Sequence, residues 1–195
     1  MEPVSAIVLC GGDSRRMGGR DKALFEFRGR PLLARVVDAL RETSAETIVV
    51  SNRAAAHGAF GGRVVPDHDP PCGPLGGIAA GLAAARHDLG LVVACDMPFL
   101  RAEFLRLLIR RAARSDAAVP RIGRDYEPLH AVYRRTCLPA IERRIAAGDL
   151  AAFSFFPDIR LEVVAESAWR AVDPEGRSLL NINTPEDLKR FAVGG

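Results

Sequence analysis

The chain has 195 residues, of which 48% are hydrophobic and 26% charged, and its formal net charge is +3. This balance is typical of a folded soluble protein and excludes a disordered one, while the small net charge gives no reason to expect a nucleic-acid partner. The length suits one domain with a substantial core, so we predict a single domain over residues 1–195.

The N-terminal residues and the cysteines indicate the compartment. The start of the chain lacks the basic and apolar regions of a secretory signal, and no apolar stretch reaches the ~18–20 residues that cross a bilayer. The cysteines form no C-x-x-C pair and have no zinc-type spacing; they are Cys10, Cys72, Cys95 and Cys137. We therefore expect a cytoplasmic protein with reduced cysteines and no membrane partner.

Short apolar segments alternate with longer amphipathic ones through the first 120 residues. In chain order, the patterns predict a strand at 4–9, a helix at 32–40, strands at 47–51 and 63–66, a small-residue helix at 75–85, a strand at 91–94, a helix from 104 to about 114 and a strand at 117–120. This alternation predicts an α/β fold with a mostly parallel, twisted sheet and helices on both faces.

The second part of the chain is less regular. We predict added strands at 129–133, 161–164 and 179–182 and a helix at 138–147. A last helix is expected to begin with Thr184 as its N-cap, Pro185 at its first position and Asp187 at its third. We interpret His130 as a structural histidine with satisfied hydrogen bonds, and we assign neither His130 nor Trp169 to a site.

Polar and glycine residues follow four of the predicted strands directly. In an open α/β sheet, ligands bind outside the carboxyl ends of the strands. The residues at these ends are a glycine loop, an amide and two carboxylates, namely Cys10-Gly11-Gly12, Asn52, Asp67 and Asp96. We predict that they share one edge of the sheet.

The loop from Leu9 to Lys22 has the composition of a phosphate-binding loop. Its glycines allow the backbone to approach phosphate oxygens, and its Arg and Lys side chains neutralise their charge. It is neither a Walker A loop nor a dinucleotide fingerprint, and a flexible basic loop remains the alternative. Only Lys22 and Lys189 of the 27 basic residues are lysines, so Lys22 either meets a need for a compact ammonium group or is lysine by chance.

Asp96 follows an apolar strand and precedes Pro98. A carboxylate opposite a polyphosphate is a common Mg²⁺ ligand, because Mg²⁺ takes only one or two carboxylates together with phosphate oxygens and water. The alternative is that Asp96 caps the helix that follows.

Motifs along most of the chain resemble those of the molybdenum cofactor guanylyltransferases, the MobA family of the nucleotidyltransferase superfamily. The matching stretches, in family order, are Leu9-Cys10-Gly11-Gly12, Arg15-Arg16-Met17-Gly18-Gly19, Asp21-Lys22, Asp67, Gly73-Pro74-Leu75-Gly76-Gly77-Ile78, Cys95-Asp96-Met97-Pro98-Phe99 and Asn181-Ile182-Asn183-Thr184-Pro185-Glu186-Asp187-Leu188.

The resemblance implies GMP transfer from GTP to the terminal phosphate of molybdopterin, with Mg²⁺ as cofactor. It implies a pterin substrate at Arg16, Gly19, Asn181 and Asn183, Mg²⁺ on Asp96, and GTP at Leu9, Cys10, Gly11, Gly12, Lys22, Asn52, Asp67 and Asp96. Arg16, Lys22 and Asp96 would stabilise the charge that develops in the reaction. Transient contacts with other enzymes of the cofactor's synthesis would follow.

Two departures from the family pattern and two rival functions stay open. Cys10 stands where the family more often has Ala. Directly after Gly148, where the family pattern has one or two arginines, the sequence reads Asp149-Leu150-Ala151-Ala152-Phe153, so either Arg143 or Arg144 supplies that charge or the second substrate is handled differently. The rivals are a relative that uses CTP or another acceptor, and a module that binds a nucleotide without catalysis. The glycine pair Gly11-Gly12 favours guanine by resemblance.

Overall fold

A computed structural model describes residues 2–11 and 21–192. Its strands are β1 (Val4–Leu9), β2 (Glu26–Phe27), β3 (Arg30–Pro31), β4 (Glu46–Val50), β5 (Arg63–Val65), β6 (Leu89–Ala94), β7 (Ala117–Ile122), β8 (Asp125–Tyr126), β9 (His130–Arg134) and β10 (Leu161–Val164). Its α-helices are α1 (Leu32–Leu40), α2 (Ala54–His57), α3 (Gly73–Ala84), α4 (Ala102–Arg111), α5 (Leu138–Ala146), α6 (Glu166–Arg170) and α7 (Pro185–Ala192). None of these helices is long and apolar enough to span a membrane.

The main sheet has the strand order β10-β7-β9-β6-β1-β4-β5, with β8 paired to β7, while β2 and β3 form a separate hairpin. Along this order only β9 runs antiparallel to its neighbours, β6 and β7. The central strand β1 lies parallel to both β4 and β6. The predicted α/β fold with a mostly parallel sheet is confirmed.

Helices cover both faces of this sheet, as predicted. Along β1, Val8 joins an apolar cluster with α1 and α4, and its neighbour Ile7 joins the cluster on the other face with α3 and α5. Successive side chains of a strand point to opposite faces, and a strand covered on both faces is apolar throughout. All six residues of β1 are accordingly buried.

Helix α3 packs very closely on the sheet. A Cβ atom at Gly81 would lie 2.3 Å from Cγ2 of Ile7, and one at Gly77 would lie 3.3 Å from the Leu9 side chain. The predicted small-residue helix therefore brings its backbone almost against β1. This close packing also carries the beginning of α3, at Gly73, to the carboxyl edge of the sheet.

The bounds of the other predicted elements agree with the structure to within one to three residues, but the strand predicted at 179–182 is wrong. Arg177–Leu179 form a 3₁₀ turn, and the segment after it pairs with none of the described strands. Its apolar residue Ile182 packs against Phe27 and Leu32, in a small cluster outside the sheet. Burial there, rather than strand pairing, accounts for the apolar pattern.

The predicted start of the last helix is confirmed. The backbone N–H of Asp187 donates to Oγ1 of Thr184 at 3.1 Å, and the Asp187 carboxylate accepts from the N–H groups of Asn183 and Thr184 at 2.9 Å each. This reciprocal arrangement satisfies the free N–H groups at a helix start. It also fixes the backbone at Asn183.

His130 is structural, but the prediction that its ring nitrogens are hydrogen-bonded is wrong for the part of the chain that the structure describes. The ring is fully buried, and neither nitrogen has a hydrogen-bond partner among the described residues. It packs edge-on against Phe104, with ring centroids 4.7 Å apart. Burial lowers the pKa of His130 to about 4, although the negative charge of Asp173 acts in the opposite direction.

This buried imidazole predicts a loss of stability in mild acid. The unfolded chain binds a proton at His130 near pH ~6.5, whereas the folded chain binds it only near pH 4. Between these values protonation favours the unfolded chain. The contribution of neutral His130 to the free energy of unfolding is therefore complete above pH ~6.5 and decreases as the pH falls, by on the order of 3 kcal/mol in total. Urea unfolding of wild type and His130→Phe at neutral and mildly acidic pH should show a smaller pH dependence in the variant. Equal dependence in both would contradict the prediction.

Candidate functional site

A cleft of about 330 Å³ opens at the carboxyl edge of the sheet, where β1, β4 and β6 end beside the start of α3. Its apolar wall includes Val50, Pro71 and Pro74. The cleft also brings together most of the predicted site residues that the structure describes, namely Leu9, Cys10, Gly11, Lys22, Asp67 and Asp96, together with Asp21. Gly12, Arg16 and Gly19 lie outside the described residues.

Asp67 lies directly over the backbone of Gly11. A Cβ atom at Gly11 would stand only 2.8 Å from Oδ2 of Asp67, so the close approach requires glycine. The Asn52 side chain accepts a hydrogen bond from the backbone N–H of Asp67 at 3.0 Å, and the Asp67 carboxylate accepts from the N–H of His68 at 2.7 Å. Asn52 therefore positions Asp67 through its backbone.

Asp96 stands in a turn just beyond β6 and does not cap the helix that follows. Helix α4 begins at Ala102, and Arg101 occupies its N-cap position, so the capping alternative is wrong. Oδ2 of Asp96 accepts a hydrogen bond from Nζ of Lys22. Oδ1 is buried and has no hydrogen-bond partner among the described residues. One oxygen of the carboxylate is therefore available to a ligand.

Lys22 joins two parts of the site that are distant in sequence. Its ammonium group donates both to Asp96 and, at 2.6 Å, to Oδ1 of Asn183. The three side chains come from the end of the glycine loop, the end of β6 and the segment before α7. One compact cation thus connects the nucleotide side of the predicted site with its acceptor side.

Asn181 and Asn183 flank Ile182, whose backbone is hydrogen-bonded to Asp96. The backbone N–H of Ile182 donates to the carbonyl oxygen of Asp96 at 2.9 Å, which holds this segment at the end of β6. Oδ1 of Asn181 is buried and accepts no hydrogen bond from the described residues. Although the predicted strand is absent, Asn181 and Asn183 are still held beside Asp96, through Ile182.

The two arginines considered as replacements for an arginine after Gly148 differ in their surroundings. Arg144 is paired with Asp158 at 2.9 Å and with Asp149 at 3.6 Å. Arg143 is exposed on α5. Neither arginine is among the residues that line the cleft.

A hydrogen-bonded network that no sequence pattern indicates holds Asp21, the residue before Lys22. Oδ2 of Asp21 lies 2.8 Å from Nε2 of His57 and 3.2 Å from the Arg53 guanidinium, and Nδ1 of His57 lies 2.7 Å from Oγ of Ser51. The Ser51 hydroxyl also accepts a hydrogen bond from the backbone N–H of Arg53 at 2.9 Å. His57 thus links Ser51 to Asp21.

A second carboxylate lies close to Asp96. Burial, and secondarily the charge of Asp96, raise the pKa of Glu127, while a hydrogen bond from the backbone of Leu129 acts in the opposite direction. Glu127 is half-buried and directly precedes Pro128 in the connection between β8 and β9. No pattern in the sequence singles out Glu127, because its connection reaches the site through the antiparallel pairing of β9 with β6.

The arrangement around Asp96 fits a divalent cation that is bound together with a polyphosphate. Asp96 offers a buried carboxylate oxygen without a partner, and its other oxygen already faces a cation, the Lys22 ammonium. The described residues contain no cluster of three or more His, Cys, Asp or Glu side chains suited to a metal. A cation such as Mg²⁺ would thus take most of its ligands from phosphate oxygens and water.

Similarity to known proteins identifies the family of the chain. A model described as "MobA-like NTP transferase domain" matches residues 6–158. The chain belongs to the MobA-like nucleotidyltransferase family. A "Probable molybdenum cofactor guanylyltransferase" of Pelotomaculum thermopropionicum is 39% identical, with 99% of this chain and 94% of that protein covered.

Two further comparisons agree with membership of the MobA-like family. A "Molybdenum cofactor guanylyltransferase" of Pseudomonas putida is 38% identical, and the alignment covers 97% of both chains. The crystal structure of molybdopterin-guanine dinucleotide biosynthesis protein A from Archaeoglobus fulgidus has a TM-score of 0.83 at 29% identity, with 95% of both chains covered. The family resemblance seen in the sequence is therefore confirmed.

Removing the His57 ring should destabilise the protein. In His57→Leu, the buried Ser51 hydroxyl and the Asp21 carboxylate each lose a partner, and an unsatisfied buried polar group costs ~1–3 kcal/mol. We expect the midpoint of urea unfolding to fall accordingly. His57→Gln, whose amide can still donate to Asp21, should recover part of the loss. A variant as stable as wild type would show that the network contributes nothing.

Proposed function

We propose that the chain transfers GMP from GTP to the terminal phosphate of molybdopterin, which yields a guanine dinucleotide and pyrophosphate. The observation that carries this proposal is the contact of Lys22 with both Asp96 and Asn183. Among members of a nucleotidyltransferase family, a cation placed between the two substrate sides suits the joining of two phosphates. The two relatives named above are described as molybdenum cofactor guanylyltransferases, one of them as probable, and the alignments cover nearly their whole length.

The nucleotide would occupy the cleft at the end of β1. Backbone groups of Leu9, Cys10 and Gly11 border it, and Asp67 stands over Gly11 where a ribose hydroxyl could donate to its carboxylate. The apolar wall would take the base. In this proposal Asn52 acts by positioning Asp67, and Gly12 and Arg16 contribute from the loop to phosphate binding.

We also propose that Mg²⁺ accompanies the nucleotide and that Asp96 holds it. Bound there, Mg²⁺ would neutralise charge on the phosphates. With Asp96 engaged by the metal, the Lys22 ammonium would be available to phosphate oxygens. Lys22 is well suited to this exchange because it carries a compact point charge with three donors on a flexible stem.

The acceptor would enter from the side of Asn181 and Asn183, and in this proposal it also contacts Gly19 and Arg16. An oxygen of its terminal phosphate forms a bond to the α-phosphorus of GTP, and the bond from that phosphorus to the oxygen bridging to the β-phosphate breaks. The acceptor phosphate is already an anion near neutral pH, so no general base is required. The protein contributes positioning and stabilisation of the charge that builds on the leaving pyrophosphate.

The product would pass to an enzyme that uses the dinucleotide, so transient contacts with other enzymes of the same synthesis are part of the proposal. A related reaction with CTP, or with another acceptor, would use the same phosphate contacts and differ only at the base or the acceptor side. A module that binds nucleotide without catalysis would have no use for Lys22 bridging to Asn183.

Pyrophosphate release separates these functions. With molybdopterin and Mg²⁺, we expect release with GTP far above that with CTP, ATP or UTP. In Asp96→Asn, which keeps the size of the side chain and removes its charge, release should fall by ~10²-fold or more at every Mg²⁺ concentration. Release with CTP alone would favour the cytidylyltransferase. Binding of GTP without release would favour the non-catalytic module.

Lys22 has a matched control in Lys189, the other lysine of the chain, which is exposed on α7. Lys22→Met should lower kcat/KM for GTP by about 10²-fold, because a charge that stabilises the leaving group is lost. Lys189→Met should behave as wild type. Lys22→Arg should recover only part of the activity, since a planar guanidinium cannot replace the ammonium that contacts both Asp96 and Asn183. Near-normal kcat/KM in Lys22→Met would exclude this role.

A further inference from the structure

Two cysteines meet at the floor of the nucleotide cleft. Cys10 follows β1 and Cys95 follows β6, and both side chains line the cleft. The two strands are parallel neighbours in which Leu9 is paired with Ala94, so Cys10 and Cys95 are the next pair along the ladder. The backbone N–H of Cys95 donates to the carbonyl oxygen of Leu9 at 3.1 Å, which keeps the two strand ends together.

The two side chains also point to the same face of the sheet. Cys95 belongs to the apolar cluster that contains Val8 and Val93, and Cys10 packs against that cluster. The register and the shared cluster thus make the two thiols neighbours at one end of the ladder. Both cysteines are free thiols in the structure.

This placement meets the requirements of a disulfide. Neighbouring strands lie ~4.7–4.9 Å apart, and the Cα atoms of a disulfide are ~4.4–6.8 Å apart. Both residues lie just beyond the regular ladder, where the backbone can adjust. The other two cysteines lack a thiol neighbour of this kind: Cys72 donates to the carbonyl oxygen of Pro70 and Cys137 to that of Asp116, each at 3.2 Å.

We infer that Cys10 and Cys95 form a reversible modification site, which a small-molecule disulfide converts to a cross-strand disulfide that closes the cleft to nucleotide. The more exposed sulfur, Cys10 Sγ, forms a mixed disulfide and releases one thiol from the reagent. Cys95 Sγ then attacks Cys10 Sγ and releases the second thiol. The two cysteines lose two electrons and two protons, and the reagent disulfide gains them.

Closure of the cleft follows from the bond length. The two sulfur atoms must come to ~2.05 Å for a covalent bond, which shifts Cys10 and Cys95 towards each other. Cys10 begins the glycine loop, and Cys95 immediately precedes Asp96. The shift therefore acts on the backbone that would contact the nucleotide and on the carboxylate beside it. By linkage, bound nucleotide should disfavour the disulfide at equilibrium. The effect on nucleotide rests on the proposed function, whereas the disulfide does not.

Oxidised glutathione, applied to the full-length native protein, tests this inference. Peptide mass mapping should find a Cys10–Cys95 link that dithiothreitol removes and that preincubation with GTP and Mg²⁺ suppresses. Titration calorimetry with GTP should show a Kd raised by at least about tenfold after oxidation, equivalent to ~1.4 kcal/mol, and restored on reduction. Cys137→Ala should respond as wild type does.

Cys95→Ala is compared only with itself, before and after oxidation. It cannot form the link, so its Kd for GTP, whatever its initial value, should not change with the oxidant. Absence of the linked peptide in wild type, or only a glutathione adduct at Cys10, overturns the inference even if the variant fails to fold. A link with unchanged Kd overturns the closure of the cleft. If GTP fails to bind the reduced protein, the proposed function fails while the mapping still decides whether the disulfide forms.

Discussion

The parallel pairing of β1 with β4 and β6 is the constraint on which the rest of the site depends. Parallel strands end at the same edge, so residues that are far apart in the chain are delivered to one line. The pairing of Leu9 with both Val50 and Ala94 aligns the three strand ends to the residue. Gly11 and Asp96 meet because of this register, and Asp67 joins them because β5 in turn runs parallel to β4.

The two charged side chains at the centre of this edge, Asp96 and Lys22, form an ion pair. Asp96 and Lys22 are each largely buried, with 15% and 19% of their side chains exposed, and each is the other's partner. A buried charge without a partner is costly, whereas an exchangeable partner allows a ligand to take its place at little cost. The Glu127 carboxylate lies close by, and its pKa is raised chiefly by burial and to a lesser degree by the charge of Asp96.

Much of the fold was predictable because hydrophobic periodicity reports burial directly. Five of the six residues of β1 are apolar and a glycine pair follows the strand, while α1 has an apolar stripe at helical spacing, so both elements could be assigned from their patterns. The edge of the sheet was predictable for the same reason, since it requires only that the strands be parallel. The segment 179–182 was not, because a short apolar run is equally compatible with a strand and with burial against Phe27 and Leu32.

The contacts behind the site illustrate a second limit. His57 reaches Asp21 across 36 residues, and nothing in the sequence near either residue pairs them. His130 shows the opposite error: a strand position was inferred correctly, but the hydrogen bonds expected for its ring are missing among the described residues. Local patterns determine the secondary-structure element in which a residue lies, whereas the packing of the whole chain determines which groups its side chain contacts.

The contact between Lys22 and Asn183 joins residues near the two ends of the chain, 161 positions apart. During synthesis the strands β1, β4, β5 and β6, which build the nucleotide side, emerge well before the segment that carries Ile182 and Asn183. On the growing chain, β1 and β6 therefore line the cleft before its acceptor side exists. A chain shortened before Asn181 would keep the first half of the site and lack the second.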